Sequence, residues 1–218
     1  MLANFQQNFL QTAVAVEALK FGSFTLKSGR QSPYFFNAGA FNDGQALLVL
    51  ATSYAEKIWQ IRTQGNHIDV LFGPAYKGIP LVAAIATVLA SQYNWSVKWA
   101  FNRKEEKQHG EGGQLVGADV DGQNVLVIDD VLTAGTAIRQ SLALLRDFGA
   151  KPSAVLVALD RMERIEGQNS ALTQLAKTEQ IQTHAVVNFN DLLTYLKNNP
   201  NLSAYLEKMQ SYRKIYGV

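Results

Sequence analysis

The chain has 218 residues, 47% of them hydrophobic and 17% charged, with a net charge of +2 and no cysteine. This composition excludes a disulfide framework and a thiolate nucleophile, and charge so near balance argues against general nucleic-acid binding, which needs clustered Lys and Arg. A chain of this length suits one domain over residues 1–218 and buries roughly 70% of its unfolded surface without a structural metal. Residues 1–10 hold no basic stretch leading into an apolar one. The longest apolar run, 81–90, is broken by Thr87 and is too short to span a bilayer, so the expected address is the cytoplasm, with no membrane partner.

In chain order, apolar residues recur at helical spacing over 4–20 (Phe5, Phe9, Leu10, Ala13, Val16, Leu19). Residues 21–38 read as two extended pieces joined by a turn at Ser28–Gly29–Arg30, which sets 1–40 apart as a small amino-terminal unit. Asp43 is placed to cap a helix over 45–61. From 65 to 190 strands and helices alternate. Short apolar strands are expected at 69–72, 97–101, 125–128, 154–159 and 184–188. Helices are expected from Pro80 to 90 and over 136–148, the second stopped by Gly149. Asn190 and Asp191 precede a short helix, and Asn201 or Ser203 another. Continuous apolar strands alternating with helices predict an α/β fold with a mostly parallel central sheet covered on both faces. Ligands of such sheets bind beyond the carboxyl ends of the strands.

The most informative stretch lies at one of those ends. Residues 125–137 read VLVIDDVLTAGTA. Apolar strand residues deliver Asp129 and Asp130, and small residues Thr133, Ala134, Gly135 and Thr136 then open a helix. Small residues let backbone N–H groups crowd around an anion, and a helix amino terminus favours negative charge, so this half is a phosphate cradle. Asp129 and Asp130 would repel that phosphate. Adjacent ribose hydroxyls, with Mg²⁺ nearby, satisfy acceptor-only carboxylates better. The alternative, two carboxylates that only cap a helix, is an expensive use of a buried strand end. A Walker A loop is excluded because Ile79 and Pro80 follow Gly78 where Lys and Ser or Thr are required, and no G-x-G-x-x-G follows a strand.

Three other strand ends hold unusual residues. Gly73–Pro74–Ala75–Tyr76–Lys77–Gly78 suits a diphosphate, through backbone donors and one point charge, or is an ordinary turn with a solvated Lys. Residues 103–114, RKEEKQHGEGGQ, combine Arg103, Lys104, Lys107 and His109 with three glycines; lacking an apolar anchor, they read as a loop that is mobile when empty or as a merely solvated one. Arg161, in DRMER, can grip a planar carboxylate with two parallel hydrogen bonds or form a surface salt bridge to Asp160 or Glu163. In the amino-terminal unit, adjacent Phe35 and Phe36 must face opposite ways, one to the core and one free to cover a flat ligand.

VLVIDDVLTAGTA resembles the signature of the type I phosphoribosyltransferases, and GPAYKG, RKEEKQHGEGG, the amino-terminal segment and the ending SYRKIYGV resemble those of the orotate phosphoribosyltransferases. The resemblance implies the type I fold with an amino-terminal hood over 1–40. It implies transfer of ribose 5-phosphate from phosphoribosyl pyrophosphate to orotate, with Mg²⁺ arriving on the pyrophosphate and no direct protein ligand assigned to it. Phosphoribosyl pyrophosphate would be held by Lys27, Tyr76, Lys77, Arg103, Lys104, Lys107, His109, Asp129 and Asp130, and by the run Val131, Leu132, Thr133, Ala134, Gly135, Thr136 and Ala137. Orotate would meet Phe35, Phe36, Thr133 and Arg161. Lys107, Arg103, Lys104, His109, Asp129 and Asp130 would be catalytic, and a homodimer would share the catalytic loop between subunits. A purine phosphoribosyltransferase would share the acidic pair but not this hood, loop and Arg161 together. A regulator that senses phosphoribosyl pyrophosphate would add a basic DNA-binding module or lose the loop.

Overall fold

The computed structural model describes residues 1–26, 29–107, 113–132, 135–165 and 167–218, with the side chains of 105–107 left aside. Helix α1 (Asn4–Ala15) leads into an antiparallel pair, β1 (Leu19–Thr25) and β2 (Gln31–Phe36). The helix expected to 20 stops at Ala15. Glu17 takes a left-handed φ of 58°, and Leu19, the last apolar residue of the helical pattern, is instead buried in β1 opposite Phe36. Asp43 caps α2 (Gly44–Thr63), its carboxylate accepting from Ala46 N at 2.8 Å.

The core follows as β3 (Val70–Gly73), α3 (Gly78–Tyr93), β4 (Lys98–Lys107), β5 (Gly113–Gly117), β6 (Asn124–Val131), α4 (Thr136–Asp147), β7 (Lys151–Asp160), α5 (Ala171–Glu179) and β8 (Gln182–Asn188). Helices α6 (Phe189–Lys197) and α7 (Leu206–Tyr216) finish the chain, with a 3₁₀ turn over Pro200–Tyr205 between them. The sheet order is β5-β4-β3-β6-β7-β8; every pairing is parallel except β4 with β5.

Side chains alternate across this sheet into two cores. Leu71, Leu126, Ile128, Leu156 and Ala158 face α2 and α3, while Phe72, Val125, Val127, Val155 and Val157 face α4 and α5. Both faces are therefore covered, which is why the strands read as unbroken apolar runs. The chain runs from β3 outward to β4 and then back across β3 to β6. The carboxyl ends of β3 and β6 thus flank the crevice where ligands of open sheets bind.

Further expectations need correction. Helix α3 starts at Gly78, so Pro80 is its third residue; the N–H groups of a first turn lack helical partners, and proline is tolerated there. Helix α6 starts at Phe189: Asn188 is its cap and Asp191 closes a capping box back onto it, so neither Asn190 nor Asp191 lies outside the helix. Helix α5 lies in a stretch in which no element was expected, capped by Ser170. The charged stretch after Phe101 begins as strand: β4 continues to Lys107, and β5 returns beside it with Asn102 opposite Leu115 and Lys107 opposite Gly113. Charged side chains suit an edge hairpin, which needs no apolar alternation on its solvent side.

Candidate active site

The crevice is built first by two glycines. A Cβ on Gly73 would lie 2.2 Å from the Gly78 carbonyl oxygen, and one on Gly78 would lie 2.6 Å from the Gly73 carbonyl carbon. Only glycines let the β3–α3 turn close this tightly. Gly78 N–H donates to Pro74 O at 2.9 Å, and Asn102 Oδ1 accepts from Ala75 N–H at 2.9 Å, tying the turn to β4. The Ala75–Tyr76 peptide is cis. The turn presents Tyr76 and Lys77 to solvent, and Lys104 Nζ on β4 sits 4.6 Å from the centre of the Tyr76 ring.

Across the crevice, β6 carries Asp129 and Asp130 inside the strand. Their carboxylates fold back on the backbone: Asp130 N–H donates to Asp129 Oδ1 at 2.9 Å, and Val131 N–H to Asp130 Oδ1 at 2.8 Å. Lys77 Nζ donates to Asp130 Oδ2 at 2.8 Å, so the ion pair spans the crevice from the β3 end to the β6 end. Lys77 is 64% exposed and Asp130 11%, which leaves the ammonium group within reach of a ligand. Burial pushes the Asp129 carboxyl up to about 6, opposed by the Asp130 backbone N–H and, more weakly, by Lys77. The fully buried Tyr54 of α2 donates its hydroxyl to Asp129 O at 2.7 Å and fixes the strand end from behind.

Gly135 caps α4 with a left-handed φ of 75° and no side-chain cap hydrogen bond. Among the described residues no side chain caps the first amides of α4, at Thr136 and Ala137, and a helix terminus of this kind favours an anion. Val131 ends β6 and Leu132 is buried.

The expected base side is assembled by other elements. In β2, Ser32, Tyr34 and Phe36 point inward and Phe35 outward. Phe36 is 8% exposed and packs on Phe9, while Phe35 is 41% exposed beside Phe24. Arg161, just past β7, lies with its guanidinium 4.1 Å from the centre of the Tyr34 ring. Its Nε and Nη2 donate to Glu163 Oε1 at 3.0 and 2.7 Å, and Nη2 also to Ser32 Oγ at 3.1 Å. The pairing of Arg161 with Glu163 is therefore present but mostly buried rather than on the surface; Asp160 accepts from Met162 N–H instead.

Arg103 is on β4, with Nη1 3.4 Å from Gly113 O. Lys27, His109, Thr133 and Ala134 lie outside the described residues, as does the side chain of Lys107. Sequence reasoning missed Tyr54, Asn102 and Arg30, and named Glu163 only as a salt-bridge partner for Arg161. Tyr54 carries no sequence signal, since a tyrosine on the apolar face of α2 reads as packing. Asn102 gave one, a polar residue directly after the apolar part of a strand.

A mostly parallel sheet with an acidic strand end, a helix terminus that no described side chain caps and a lysine-bearing glycine turn at its switch point is an arrangement suited to a phosphorylated sugar. The phosphoribosyl transferase domain family matches residues 38–191, beginning just after β2, so α1, β1, β2 and α7 lie outside the matched segment. A Dichelobacter nodosus protein named orotate phosphoribosyltransferase is 56% identical over 219 residues, covering 100% of this chain and 98% of its own length. One of the same name from Marinobacter nauticus is 49% identical over 215 residues, covering 99% of each. The solved orotate phosphoribosyltransferase of Francisella tularensis superposes with a TM-score of 0.86 at 46% identity, over 96% of this chain and 99% of that one. The adenine phosphoribosyltransferase of Saccharomyces cerevisiae, at a TM-score of 0.52 and 12% identity over 81% of this chain and 99% of that one, shares the fold alone. The chain belongs to the phosphoribosyltransferase family and, within it, to the orotate phosphoribosyltransferases. No helix among the described residues is long and apolar enough to cross a membrane.

Proposed function

We propose that this crevice carries out the Mg²⁺-dependent transfer of ribose 5-phosphate from phosphoribosyl pyrophosphate to N1 of orotate, giving orotidine 5-monophosphate and pyrophosphate. The observation that carries the reading is the Lys77–Asp130 pair bridging the β3 turn to the acidic strand end, beside the terminus of α4 that no described side chain caps. One ligand that needs a diphosphate site, a hydroxyl site and a monophosphate site in that order is phosphoribosyl pyrophosphate. Asp129 and Asp130 accept from the ribose hydroxyls. The amides of Thr136 and Ala137, with the small residues before them, hold the 5-phosphate. Lys77 and the turn over Gly73 to Gly78 face the pyrophosphate.

No group of three or more His, Cys, Asp or Glu side chains among the described residues could hold a metal. Mg²⁺ would arrive on the pyrophosphate, with Asp129 and Asp130 nearby, Asp130 already bound to Lys77, and no direct protein ligand is assigned to it. When bound, that ion neutralises the leaving pyrophosphate. The chain's own residues do the rest. Lys77 and the basic residues Arg103, Lys104, Lys107 and His109 stabilise charge on the departing group as the sugar carbon becomes oxocarbenium-like. Arg161 grips the orotate carboxylate and aims N1 at the opposite face of that carbon, with Phe35 and Thr133 at the base. Phe36 supports the hood through Phe9. No covalent enzyme intermediate is needed. In a homodimer the loop between β4 and β5 closes over the partner's site and excludes water from the reactive sugar carbon. The enzyme works in the cytoplasm.

Product analysis tests the reading. Protein with Mg²⁺, orotate and phosphoribosyl pyrophosphate should release pyrophosphate and orotidine 5-monophosphate in equal amounts, and a chelator should stop both. Pyrophosphate released without the nucleotide would mean hydrolysis and would overturn the transfer.

A further inference from the structure

Glu163 is shared by four partners drawn from three distant parts of the chain. Arg30, just before β2, donates from Nη1 to Glu163 Oε2 at 3.1 Å. Arg161 donates twice to Oε1, and the hydroxyl of Tyr212 in α7 donates to the same oxygen at 2.9 Å. A backbone bridge joins Glu163 to Gly217. The turn that presents Glu163 is itself held: Met162 has a left-handed φ of 50°, its N–H bonds Asp160, and its carbonyl accepts from Val218 N–H at 3.0 Å. The pair is largely buried, with Arg161 15% and Glu163 12% exposed.

A guanidinium has two edges. Glu163 takes the Nε/Nη2 edge of Arg161, and Ser32 takes the second hydrogen of Nη2. Among the described residues Nη1 makes no hydrogen bond. Two donors therefore remain on one nitrogen, aimed in a direction that Glu163, the Tyr34 ring and Ser32 fix together. Arg30 matters to the charge. Because two guanidiniums share the Glu163 carboxylate, it does not cancel Arg161 alone, and the cation keeps attraction for an incoming carboxylate.

We infer that Glu163 is a positioning residue for orotate: held by Arg30 and Tyr212, it fixes the Arg161 guanidinium so that its free nitrogen meets the carboxylate of the base. The inference rests on the reading of Arg161 given above. Through Arg30 and Tyr212, the hood and the carboxyl-terminal helix both set the aim of Arg161. Neither segment lies within the shared family match over 38–191. This gives the two segments a common role in choosing the base.

Steady-state kinetics of Glu163→Gln, with each substrate varied in turn, test it beside Arg161→Ala. The expected result is an orotate KM raised about ten-fold, with the KM for phosphoribosyl pyrophosphate within about two-fold of wild type. An orotate KM that is unchanged or lowered would overturn the inference, a lowered one meaning that Glu163 competes with substrate. Equal rises in both KM values, the mark of general loosening, would overturn it too. If Arg161→Ala leaves the orotate KM unchanged, the reading of Arg161 fails first and the inference with it. If only Arg161→Ala raises that KM, the inference alone falls. Should Glu163→Gln fail to fold, Tyr212→Phe removes one donor to Oε1 and should raise the orotate KM alone by about two- to three-fold; no change there would overturn the proposal.

Discussion

Replacing Gly73 with alanine tests the packing that builds the crevice. The new methyl would sit 2.2 Å from the Gly78 carbonyl oxygen, 2.5 Å from its carbon and 2.8 Å from Val82 Cγ1, where real contacts stay above 3.0 Å. Two of these neighbours are backbone, so no side-chain rotation relieves them, and the β3–α3 turn must open. Overpacking of this kind costs about 1–3 kcal/mol. For a domain of this size that lowers Tm by roughly 3–10 °C. Function should suffer more than stability. Opening the turn moves Lys77 away from Asp130, and misplacement on the order of 1 Å costs about 100-fold in rate. The expectation is a fall of about 10- to 100-fold in kcat/KM for phosphoribosyl pyrophosphate. Gly122→Ala is the control: its φ is +69°, yet nothing lies within 4 Å of the added methyl. It should lose roughly 1–2 kcal/mol from left-handed strain and keep its kcat/KM. Wild-type Tm together with wild-type kcat/KM in Gly73→Ala would refute the reasoning.

Three more outcomes follow from the site. Asp129 titrates at about 6 when folded against 3.8 in the reference state, so native protein holds a proton in that window that unfolded protein has lost. Its contribution therefore turns against stability as pH rises from about 4 to about 6 and stays unfavourable above. Asp129→Asn should be stabilised relative to wild type above pH about 6, by up to ~3 kcal/mol, and lose that gain below about 4; a denaturant-unfolding difference that ignores pH would contradict this. Tyr54→Phe removes the hydroxyl that holds Asp129 O and should cost about 1 kcal/mol by denaturant unfolding, with a several-fold drop in kcat/KM; an unchanged midpoint would free Tyr54 of that task. Lys107→Ala should lower kcat far more than it changes either KM, because the loop acts on developing charge; an unchanged kcat in a rapid-mixing assay would remove Lys107 from the chemistry.

The alternation of strands and helices was legible because a doubly covered parallel sheet demands continuous apolar strands, and Leu71, Phe72, Leu126, Val127 and Ile128 supply them. Asp43 and Gly149 were equally plain, since a cap and a left-handed stop are local chemistry. What the pattern hid was tertiary. Edge pairing, not composition, decides that residues 102–107 are strand, because the partner that makes them so is β5. The end of α1 was misread because Val16 and Leu19 are apolar for the hood and core rather than for the helix. In the site, the acidic pair and glycine turn announce themselves at each strand end separately. The bond between Lys77 and Asp130 does not, because the two residues are joined only by strand order. Glu163 read as a partner for Arg161, but its links to Arg30 and Tyr212 come from opposite ends of the chain.

Base selectivity tests the central claim most directly. Initial rates should be measured with Mg²⁺ and phosphoribosyl pyrophosphate against orotate, uracil, hypoxanthine and adenine in parallel. Turnover of orotate, with the three bases that lack its carboxylate far slower, is the predicted result; turnover of a purine in its place would keep the phosphate and ribose sites and contradict the roles given to the hood and Arg161.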